Sequence, residues 1–126
     1  GGAYLEAVLQ PGEPLPPVYK ILSADDWADA MVAGAYQGST DDARDGFIHL
    51  SAGHQVAETA RRHFAGRDEL VLVAFDPLRL GSTLRWEASR GGALFPHLYG
   101  PLPIDAATSA RAMPLGADGF PDPGAV

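Results

Sequence analysis

Apolar and polar positions along the chain follow two different periods, and the change of period predicts where strands and helices lie. The apolar segment 18–22 predicts a short strand. Ser23 followed by Asp26 is typical of a capped helix start. Apolar residues then recur at helical spacing from Trp27 to Gly34, and glycine is common at a helix C-terminal cap.

The middle of the chain continues this pattern. Residues 35–46 are polar and contain glycine, which predicts a loop. Residues 47–50 alternate as a strand, and Ser51 is a candidate N-cap for a helix that extends to about Phe64. The continuous apolar segment Leu70–Phe75 is typical of a strand that is buried on both faces.

The last third of the chain predicts two more strands, at 84–87 and at 107–113. Between them, segment 95–103 contains three prolines, which are too many for a central strand or a helix interior. The resulting order of elements, β-α-β-α-β-β-loop-β, predicts a compact single domain of the α/β or α+β class. We expect it to contain a mixed sheet and two main helices.

Both ends of the chain are rich in proline and glycine, which disfavour packed elements. We therefore expect a flexible N-terminal extension over 1–17, one globular domain over 18–113 and a flexible C-terminal tail over 114–126. The two ends carry four of the seven excess negative charges of the chain and no base. The central domain is thus close to neutral and is compatible with an anionic ligand.

Composition excludes several classes of protein. With 126 residues, 46% of them hydrophobic and 20% charged, the chain is neither disordered nor fibrous. The absence of cysteine removes disulfides, thiolate nucleophiles and cysteine-ligated zinc, and no histidine spacing matches a metal motif. The net charge of −7 argues against DNA binding, and the longest apolar run is too short for a membrane. No secretory signal pattern precedes the domain, so we expect a cytoplasmic protein.

His49 and Ser51 lie two residues apart on a strand and therefore on the same face. One interpretation is that both side chains point into a cleft and bind hydroxyls of a ligand. The other is that His49 is a core histidine bonded to the backbone, while Ser51 only caps the next helix. The pattern is compatible with both.

The segment 85–87 alternates across a strand, which places Arg85 and Glu87 on one face and Trp86 in the core. Glu87 has the chemistry of a general base or a ribose ligand, with Arg85 orienting it or contacting a phosphate. A surface salt bridge between the two side chains is the alternative.

Two loops contain further candidates. Ser89, Arg90, Gly91 and Gly92 offer backbone N–H groups and a guanidinium, as in an anion-binding nest, although a glycine pair beside a strand also makes an ordinary turn.

The second loop contains Phe95, His97 and Tyr99 between prolines, and these rings can form a rigid wall for stacking on a base, a nicotinamide or a sugar. The alternative is a hydrophobic loop that caps the core and leaves His97 exposed.

Four motifs resemble a known family over a region from about Tyr19 to Met113. The chain is similar to the bacterial domain-of-unknown-function family 952 at Asp45-Gly-Phe-Ile-His-Leu-Ser51, Thr59-Ala60, Trp86-Glu87-x-Ser89 and Phe95-Pro-His-Leu-Tyr-Gly-Pro-Leu-Pro103.

That family is grouped by distant similarity with the ADP-ribosyltransferase fold, which includes RNA 2′-phosphotransferases. The resemblance implies an α+β domain with a split, mixed sheet, and it implies binding of NAD or an ADP-ribose-type nucleotide. An early strand of such proteins supplies a histidine to the ribose, and Lys20 stands at that position here. His49 matches the second motif, and Glu87 is the nearest candidate for the catalytic glutamate.

The resemblance thus implies ribosyl or phosphoryl-ribose transfer with His49, Glu87 and His97 in catalytic roles. The residues implied to bind substrate are Lys20, Ser51, Arg85, Arg90, Gly91, Gly92 and Tyr99. A non-catalytic module that binds a small molecule or a protein in the same cleft is the competing hypothesis. An acid–base enzyme that uses Glu87 and His97 on an unrelated substrate is a third. A shared concave surface for these side chains is the requirement that the structure must meet.

Overall fold

The computed structural model describes residues 15–126, so most of the predicted N-terminal extension lies outside the described residues. The elements are β1 (Val18–Ser23), α1 (Ala24–Ala33), β2 (Ala35–Tyr36), α2 (Thr40–Asp45), β3 (Ile48–His49), β4 (Ser51–Ala52), α3 (Val56–His63), β5 (Leu70–Phe75), α4 (Pro77–Leu80), β6 (Leu84–Ala88), β7 (Leu94–Leu98), β8 (Leu102–Pro103) and β9 (Ala107–Met113).

The strands form three antiparallel sheets, with strand orders β4-β1-β5-β9, β3-β7-β6 and β2-β8. The predicted α+β class is therefore confirmed, with α1 and α3 as the two longest helices. The predicted mixed sheet is wrong, because every strand pair within residues 15–126 is antiparallel. β4 and β5 do run parallel and are joined through α3, but β1 lies between them and is antiparallel to both.

β5 is the central strand of the core, and its two faces are both buried, as its continuous apolar sequence predicts. Val73 and Phe75 pack into a cluster that reaches the three-stranded sheet. Leu70 and Leu72 pack on the opposite side, against Val56 and other apolar residues of α3. Alternation along one strand thus builds two apolar layers.

The predicted caps of α1 are confirmed. The Ser23 hydroxyl accepts a hydrogen bond from the Asp26 N–H at 3.0 Å. At the other end, the Gly34 N–H donates to the Ala30 carbonyl, and Gly34 has a φ of 89°, the left-handed conformation that glycine adopts without strain.

Segment 35–46 is not the loop that its polar composition predicts, because it contains β2 and α2. α2 begins with a capping box: the Ser39 hydroxyl accepts from the Asp42 N–H, and the Asp42 carboxylate accepts from the Ser39 N–H. Just before it, Gly38 has a φ of 112°, and an added Cβ would lie 3.0 Å from the Cβ of Asp42. The turn into α2 therefore requires glycine.

Ser51 does not cap the following helix, which corrects the prediction made for it. Ser51 lies in β4, and a 3₁₀ turn at Gly53–Gln55 intervenes before the helix begins at Val56. The side-chain oxygen of Gln55 accepts from the Ala52 N–H at 2.9 Å and holds this turn. The Ser51 hydroxyl is left to contact a different partner.

Trp86 is not a core residue, because 46% of its surface is exposed. It lies on the edge strand β6, where Ala88 and Leu94 on the same sheet face are exposed as well. The alternation that places Trp86 opposite Glu87 is correct, and Trp86 shares its sheet face with Leu84 and Leu98, but the core that buries Leu98 does not extend over Trp86.

The proline-rich segment contains a central strand after all, since β7 lies between β3 and β6. A strand residue directs its N–H and C=O toward the same neighbour. The Pro96 carbonyl accepts a hydrogen bond from the Leu50 N–H at 3.0 Å. The backbone groups of Pro96 therefore face the β3 side of β7, one residue beyond the last β3–β7 pair. The missing N–H of Pro96 therefore costs no hydrogen bond to its β6 partner, Trp86.

The C-terminal segment 114–126 lies against the domain, in contrast to the flexible tail that its composition predicts. Arg111 of β9 donates hydrogen bonds to carbonyls in this segment, including that of Pro123. The Arg61 guanidinium lies 3.8 Å from the centre of the Phe120 ring. Proline and glycine content does not predict these contacts, because they use main-chain carbonyls and one aromatic ring.

Leu98 is 1% exposed and joins the three-stranded sheet to the core, so Leu98→Ala is expected to lower the free energy of unfolding by about 2–5 kcal/mol. Leu78→Ala is the matched control, because Leu78 is 69% exposed and its truncation should cost less than about 0.5 kcal/mol. Urea denaturation of both variants checks this, and equal losses would contradict the described packing.

Candidate functional site

A cleft of about 390 Å³ opens between β1, α2, α3 and the face of the three-stranded sheet that points away from the core. Five of the residues predicted to be catalytic or to bind substrate line it together: Lys20, His49, Ser51, Arg90 and His97. They come from β1, β3, β4, β7 and the turn after β6. The requirement of one concave surface is met for these five residues.

The side chains at the base of the cleft are held in place by Asp42, a 3% exposed carboxylate in the segment that the sequence predicts to be a loop. Its oxygens accept from the Ser39 N–H at 2.8 Å and from the His49 N–H at 3.1 Å. They also lie 2.6 Å from His49 Nδ1 and 3.2 Å from Lys20 Nζ. A buried carboxylate is stable only when its lone pairs are used in this way.

Lys20 is held by protein groups and does not present a free ammonium to the cleft. Besides the Asp42 ion pair, its Nζ donates to the His49 carbonyl at 2.8 Å. Burial lowers the pKa of Lys20, and the negative charge of Asp42 opposes this effect in part. The side chain at the position where the resemblance expects a ribose-binding histidine thus anchors Asp42 and His49.

The pKa of Asp42 lies well below its usual range. Burial alone would raise it, but the hydrogen bond from His49, the charge of Lys20 and the N–H groups of Ser39 and His49 together outweigh that effect. Asp42 is therefore ionised in the folded protein over the whole neutral range.

Both ring nitrogens of His49 face carboxylates. Nδ1 lies 2.6 Å from Asp42, and Nε2 lies 2.9 Å from Asp45 of the same helix. The side chain is 38% exposed and lines the cleft, so His49 is not a buried core histidine that bonds only to the backbone. The pKa of Asp45 is lowered, first by hydrogen bonds from Arg44 and to a smaller extent by His49.

His97 forms a second carboxylate–histidine pair, with Glu87. His97 Nδ1 lies 2.9 Å from Glu87 Oε1, and the Tyr99 hydroxyl donates to the same oxygen at 2.6 Å. These two hydrogen bonds lower the pKa of Glu87. The same contact with Glu87 raises the pKa of Tyr99. Glu87 is absent from the cleft lining and reaches the cleft through His97.

Phe47 packs against both histidines. Its ring stacks on His97 with centroids 4.0 Å apart and is tilted against His49 at 4.6 Å. The two imidazole centroids are themselves 5.8 Å apart, because His49 and His97 are directly opposite each other in the β3–β7 pair. This face of the sheet is therefore aromatic and polar rather than apolar.

A hydroxyl pair and a guanidinium form the other wall. The Ser51 and Thr59 hydroxyls lie 3.1 Å apart, and Arg90 donates to the Thr59 hydroxyl at 3.4 Å. Arg90 also lies over the Phe95 ring at 4.8 Å. Its Nη1 is buried without a hydrogen-bond partner among residues 15–126, at 3.5 Å from the exposed Glu58. A guanidinium with an unused donor beside two hydroxyls is suited to an anionic group.

Five of the predicted catalytic and substrate-binding residues lie outside the cleft lining: Arg85, Glu87, Gly91, Gly92 and Tyr99. The predicted anion nest is not formed by the glycines, because the Gly92 N–H donates to the Ser89 carbonyl within its own turn. Arg85 makes no hydrogen bond to Glu87 in the described residues; its guanidinium lies 5.0 Å from the Tyr99 ring. The predicted wall therefore keeps Phe95 and His97 but not Tyr99.

The sequence analysis predicts no functional role for Asp42, Asp45 or Phe47, although the sequence contains features that point to two of them. Ser39 and Asp42 have the spacing of a capping box, which marks a helix start inside the polar segment. Phe47 lies two residues before His49 and so shares its strand face. What the sequence does not contain is the pairing of Asp42 with Lys20, 22 positions away.

No group of three or more His, Asp or Glu side chains is arranged to hold a metal ion in the part of the chain that the structure describes. Nor does any helix of residues 15–126 have the length and apolar character needed to cross a membrane.

Replacing Asp42 removes the charge that balances a buried ammonium. Asp42→Asn is therefore expected to lower the free energy of unfolding by about 3–5 kcal/mol. Asp41→Asn, in the same helix but on a 68% exposed carboxylate, should change it by less than about 0.5 kcal/mol. Urea denaturation at neutral pH measures both, and similar losses would refute the central role of Asp42.

The lowered pKa of Asp42 also predicts a pH dependence. Its ionised form contributes stability above its unfolded-state pKa of about 3.9, and this contribution is lost as the pH falls through the lower folded-state value. Wild type should therefore lose stability below about pH 4 more steeply than Asp42→Asn. Urea midpoints measured at a series of acidic pH values test this, and parallel curves would count against it.

Comparison with known proteins identifies relatives of this arrangement. The crystal structure of protein CC0527 from Caulobacter crescentus is 51% identical to the chain, with a TM-score of 0.81, and the match covers 84% of this chain and 93% of that one. The solution NMR structure of the same protein is 50% identical, with a TM-score of 0.76, and the match covers 85% and 92% of the two chains. No curated protein matches the sequence. Residues 21–110 match the family described as "Protein of unknown function (DUF952)", and the chain therefore belongs to that family.

Proposed function

We propose that the cleft binds NAD or an ADP-ribose-type nucleotide and that the protein acts in ribosyl or phosphoryl-ribose transfer, on an ADP-ribosyltransferase-like fold. The observation that carries the proposal is the convergence of Lys20, His49, Ser51, Arg90 and His97 on one cleft. These residues are far apart in sequence, and a shared concave surface is what a ligand site requires.

The two walls of the cleft differ in chemistry in a way that suits such a ligand. The wall with Arg90, Ser51 and Thr59 offers a guanidinium and hydroxyls, which match a phosphate. The wall with His49 and Asp45 offers a half-exposed imidazole and a carboxylate, which match the hydroxyls of a ribose. In a nucleotide, the phosphate and the hydroxyls of the ribose lie a few ångströms apart.

The proposal gives some residues roles other than those that the resemblance implies. Lys20 orients Asp42 and His49 instead of contacting the ribose. Asp45 becomes the carboxylate nearest to a bound sugar, because Glu87 is engaged by His97 and Tyr99 and lies outside the cleft lining. A carboxylate beside a ribosyl carbon would stabilise developing positive charge there. A ligand of this class is a cytoplasmic metabolite, so the proposal includes a cytoplasmic location.

A non-catalytic binding module is the second candidate, and two observations favour it. The ammonium of Lys20 is fully occupied by protein groups, and the glutamate nearest to the expected catalytic position lies outside the cleft lining. The same cleft would then hold a small metabolite without turnover.

Titration of the isotope-labelled protein with NAD and with ADP-ribose, followed through amide chemical shifts, tests the proposal. We expect saturable shifts around His49, Ser51 and Arg90. Arg90→Ala should weaken binding about 10- to 100-fold, because a charged hydrogen bond is worth roughly 1.5–3 kcal/mol. Arg85→Ala and His54→Ala, at residues outside the cleft lining, are the matched controls and should bind as wild type does.

The outcomes separate the candidates. Shifts at the cleft together with release of nicotinamide or a phosphorylated ribose support a transferase, whereas the same shifts without any product support a binding module. No shifts with millimolar ligand, or equal weakening in the Arg90 and Arg85 variants, would refute nucleotide binding in this cleft.

A further inference from the structure

The proposed function leaves the choice between ribosyl and phosphoryl chemistry open, and the two histidines in the cleft bear on that choice. Resting on nucleotide binding in the cleft, we infer that His97 and His49 form a base and acid pair that cleaves a phosphoester on a ribose. The substrate class is a ribose phosphodiester, of which a nucleoside 2′,3′-cyclic phosphate is the simplest example. Two differently held imidazoles in one cleft are what this chemistry requires.

The contacts of His97 assign it the role of base. Glu87 is ionised and accepts a hydrogen bond from Tyr99, so it can only accept from His97 as well. In the neutral ring the proton must then lie on Nδ1, and Nε2 keeps its lone pair. Within residues 15–126, Nε2 of His97 has no hydrogen-bond partner, although His97 lines the cleft. A lone pair without a protein partner, on a ring that lines the cleft, is suited to accept a proton from water.

The contacts of His49 assign it the opposite role. Its Nδ1 faces Asp42 and its Nε2 faces Asp45, and both carboxylates are ionised. Only the doubly protonated ring can donate to both, whereas a singly protonated ring would place a lone pair against a carboxylate oxygen. His49 therefore holds a proton on Nε2, shared with the Asp45 carboxylate at 2.9 Å, and a leaving oxygen receives this proton by taking the place of Asp45.

The relative placement of the rings makes a shared substrate feasible. His49 and His97 are cross-strand neighbours on the same sheet face, and their centroids are 5.8 Å apart. Phe47 packs on both rings and limits their rotation. A phosphoryl group placed over this face would lie between a proton acceptor and a proton donor, as displacement at phosphorus demands.

The same cleft contains a group suited to hold the phosphoryl oxygens. Nη1 of Arg90 is buried and has no hydrogen-bond partner in the described part of the chain, and it forms a long ion pair, at 3.5 Å, with the exposed Glu58. The Ser51 and Thr59 hydroxyls lie beside the Arg90 guanidinium. The guanidinium would neutralise the charge that develops on the equatorial oxygens during displacement.

The proposed step balances without any further reactant than water. A water oxygen forms a bond to phosphorus while its proton passes to His97 Nε2. The bond between phosphorus and the 2′ oxygen breaks, and that oxygen takes the proton from His49 Nε2. One water is consumed, a nucleoside 3′-monophosphate is released, and both rings return to their starting protonation by exchange with solvent.

Charged side chains from the neighbouring elements surround both rings. Facing His49 are Asp42 and Asp45 of α2, with the ammonium of Lys20 on its carbonyl. Facing His97 are Glu87 and Tyr99, with Arg85 opposite it in the β6–β7 pair. The remaining ionisable residues of the cleft lining are Tyr19, Asp41, Arg44, His63 and Arg90.

Long-range ¹H–¹⁵N spectroscopy of the imidazoles tests the protonation states without any substrate. We expect His97 in the Nδ1–H tautomer and His49 with a proton on each ring nitrogen, with the exposed His54 as the comparison residue. Glu87→Gln should release His97 from that single tautomer. Finding His97 protonated on Nε2 would overturn the assignment.

Hydrolysis of 2′,3′-cyclic AMP, followed by ³¹P NMR, tests the reaction. We expect turnover by wild type, a loss of about 100-fold or more in kcat for His49→Ala and for His97→Ala, and no change for His54→Ala. Because His97 is buried and its alanine variant risks misfolding, Glu87→Gln serves as a second test. It should lower kcat with little change in KM, and it should alter the pH profile.

The outcomes distinguish this inference from the function on which it rests. If wild type binds ADP-ribose in the cleft but does not hydrolyse the cyclic nucleotide, the inference fails and nucleotide binding stands. If neither occurs, both fail. Hydrolysis that is lost in the His49 and His97 variants upholds the inference even where NAD itself does not bind.

Discussion

The structure depends on one buried carboxylate, that of Asp42. It joins the N-terminus of α2 to Lys20 of β1 and to both the backbone and the ring of His49 in β3. An ionised carboxylate inside a protein is costly unless donors surround it, so these contacts must form together. The position of the three-stranded sheet relative to the four-stranded sheet, and the orientation of the cleft histidine, therefore follow from the same interaction.

The three-stranded sheet combines packing and chemistry on its two faces. Ile48 and Leu98 point into the core, while their neighbours His49 and His97 point into the cleft. Because side chains alternate along a strand, the apolar packing that stabilises β3 and β7 also determines where the imidazoles lie. A rigid support of this kind suits a site that must hold two rings in a defined relation.

Two predictions from the sequence are wrong because the position of a strand in its sheet, and the layers that pack on it, depend on distant parts of the chain. The alternation with Glu87 predicts a core position for Trp86, and Trp86 does share the face of Leu98, but the core does not extend over this part of the edge strand. The proline content argues against a central strand at Pro96, but the nitrogen of Pro96 lies on the β3 side of β7, beyond the last β3–β7 pair, where no strand hydrogen bond is lost. In both cases the local pattern was interpreted correctly, and the packing around it decided the outcome.

Local periodicity, capping residues and short motifs predict the buried strand β5, the capped helix α1, the α+β class and the family, because these signals lie within short stretches of the chain. They also predict five catalytic or substrate-binding residues that line the cleft. The partners of the charged residues follow from the packing instead: Lys20 pairs with Asp42, and Glu87 pairs with His97 and not with Arg85. The partner of a charged side chain is chosen by which strands and helices pack together, and chain spacing does not encode that choice.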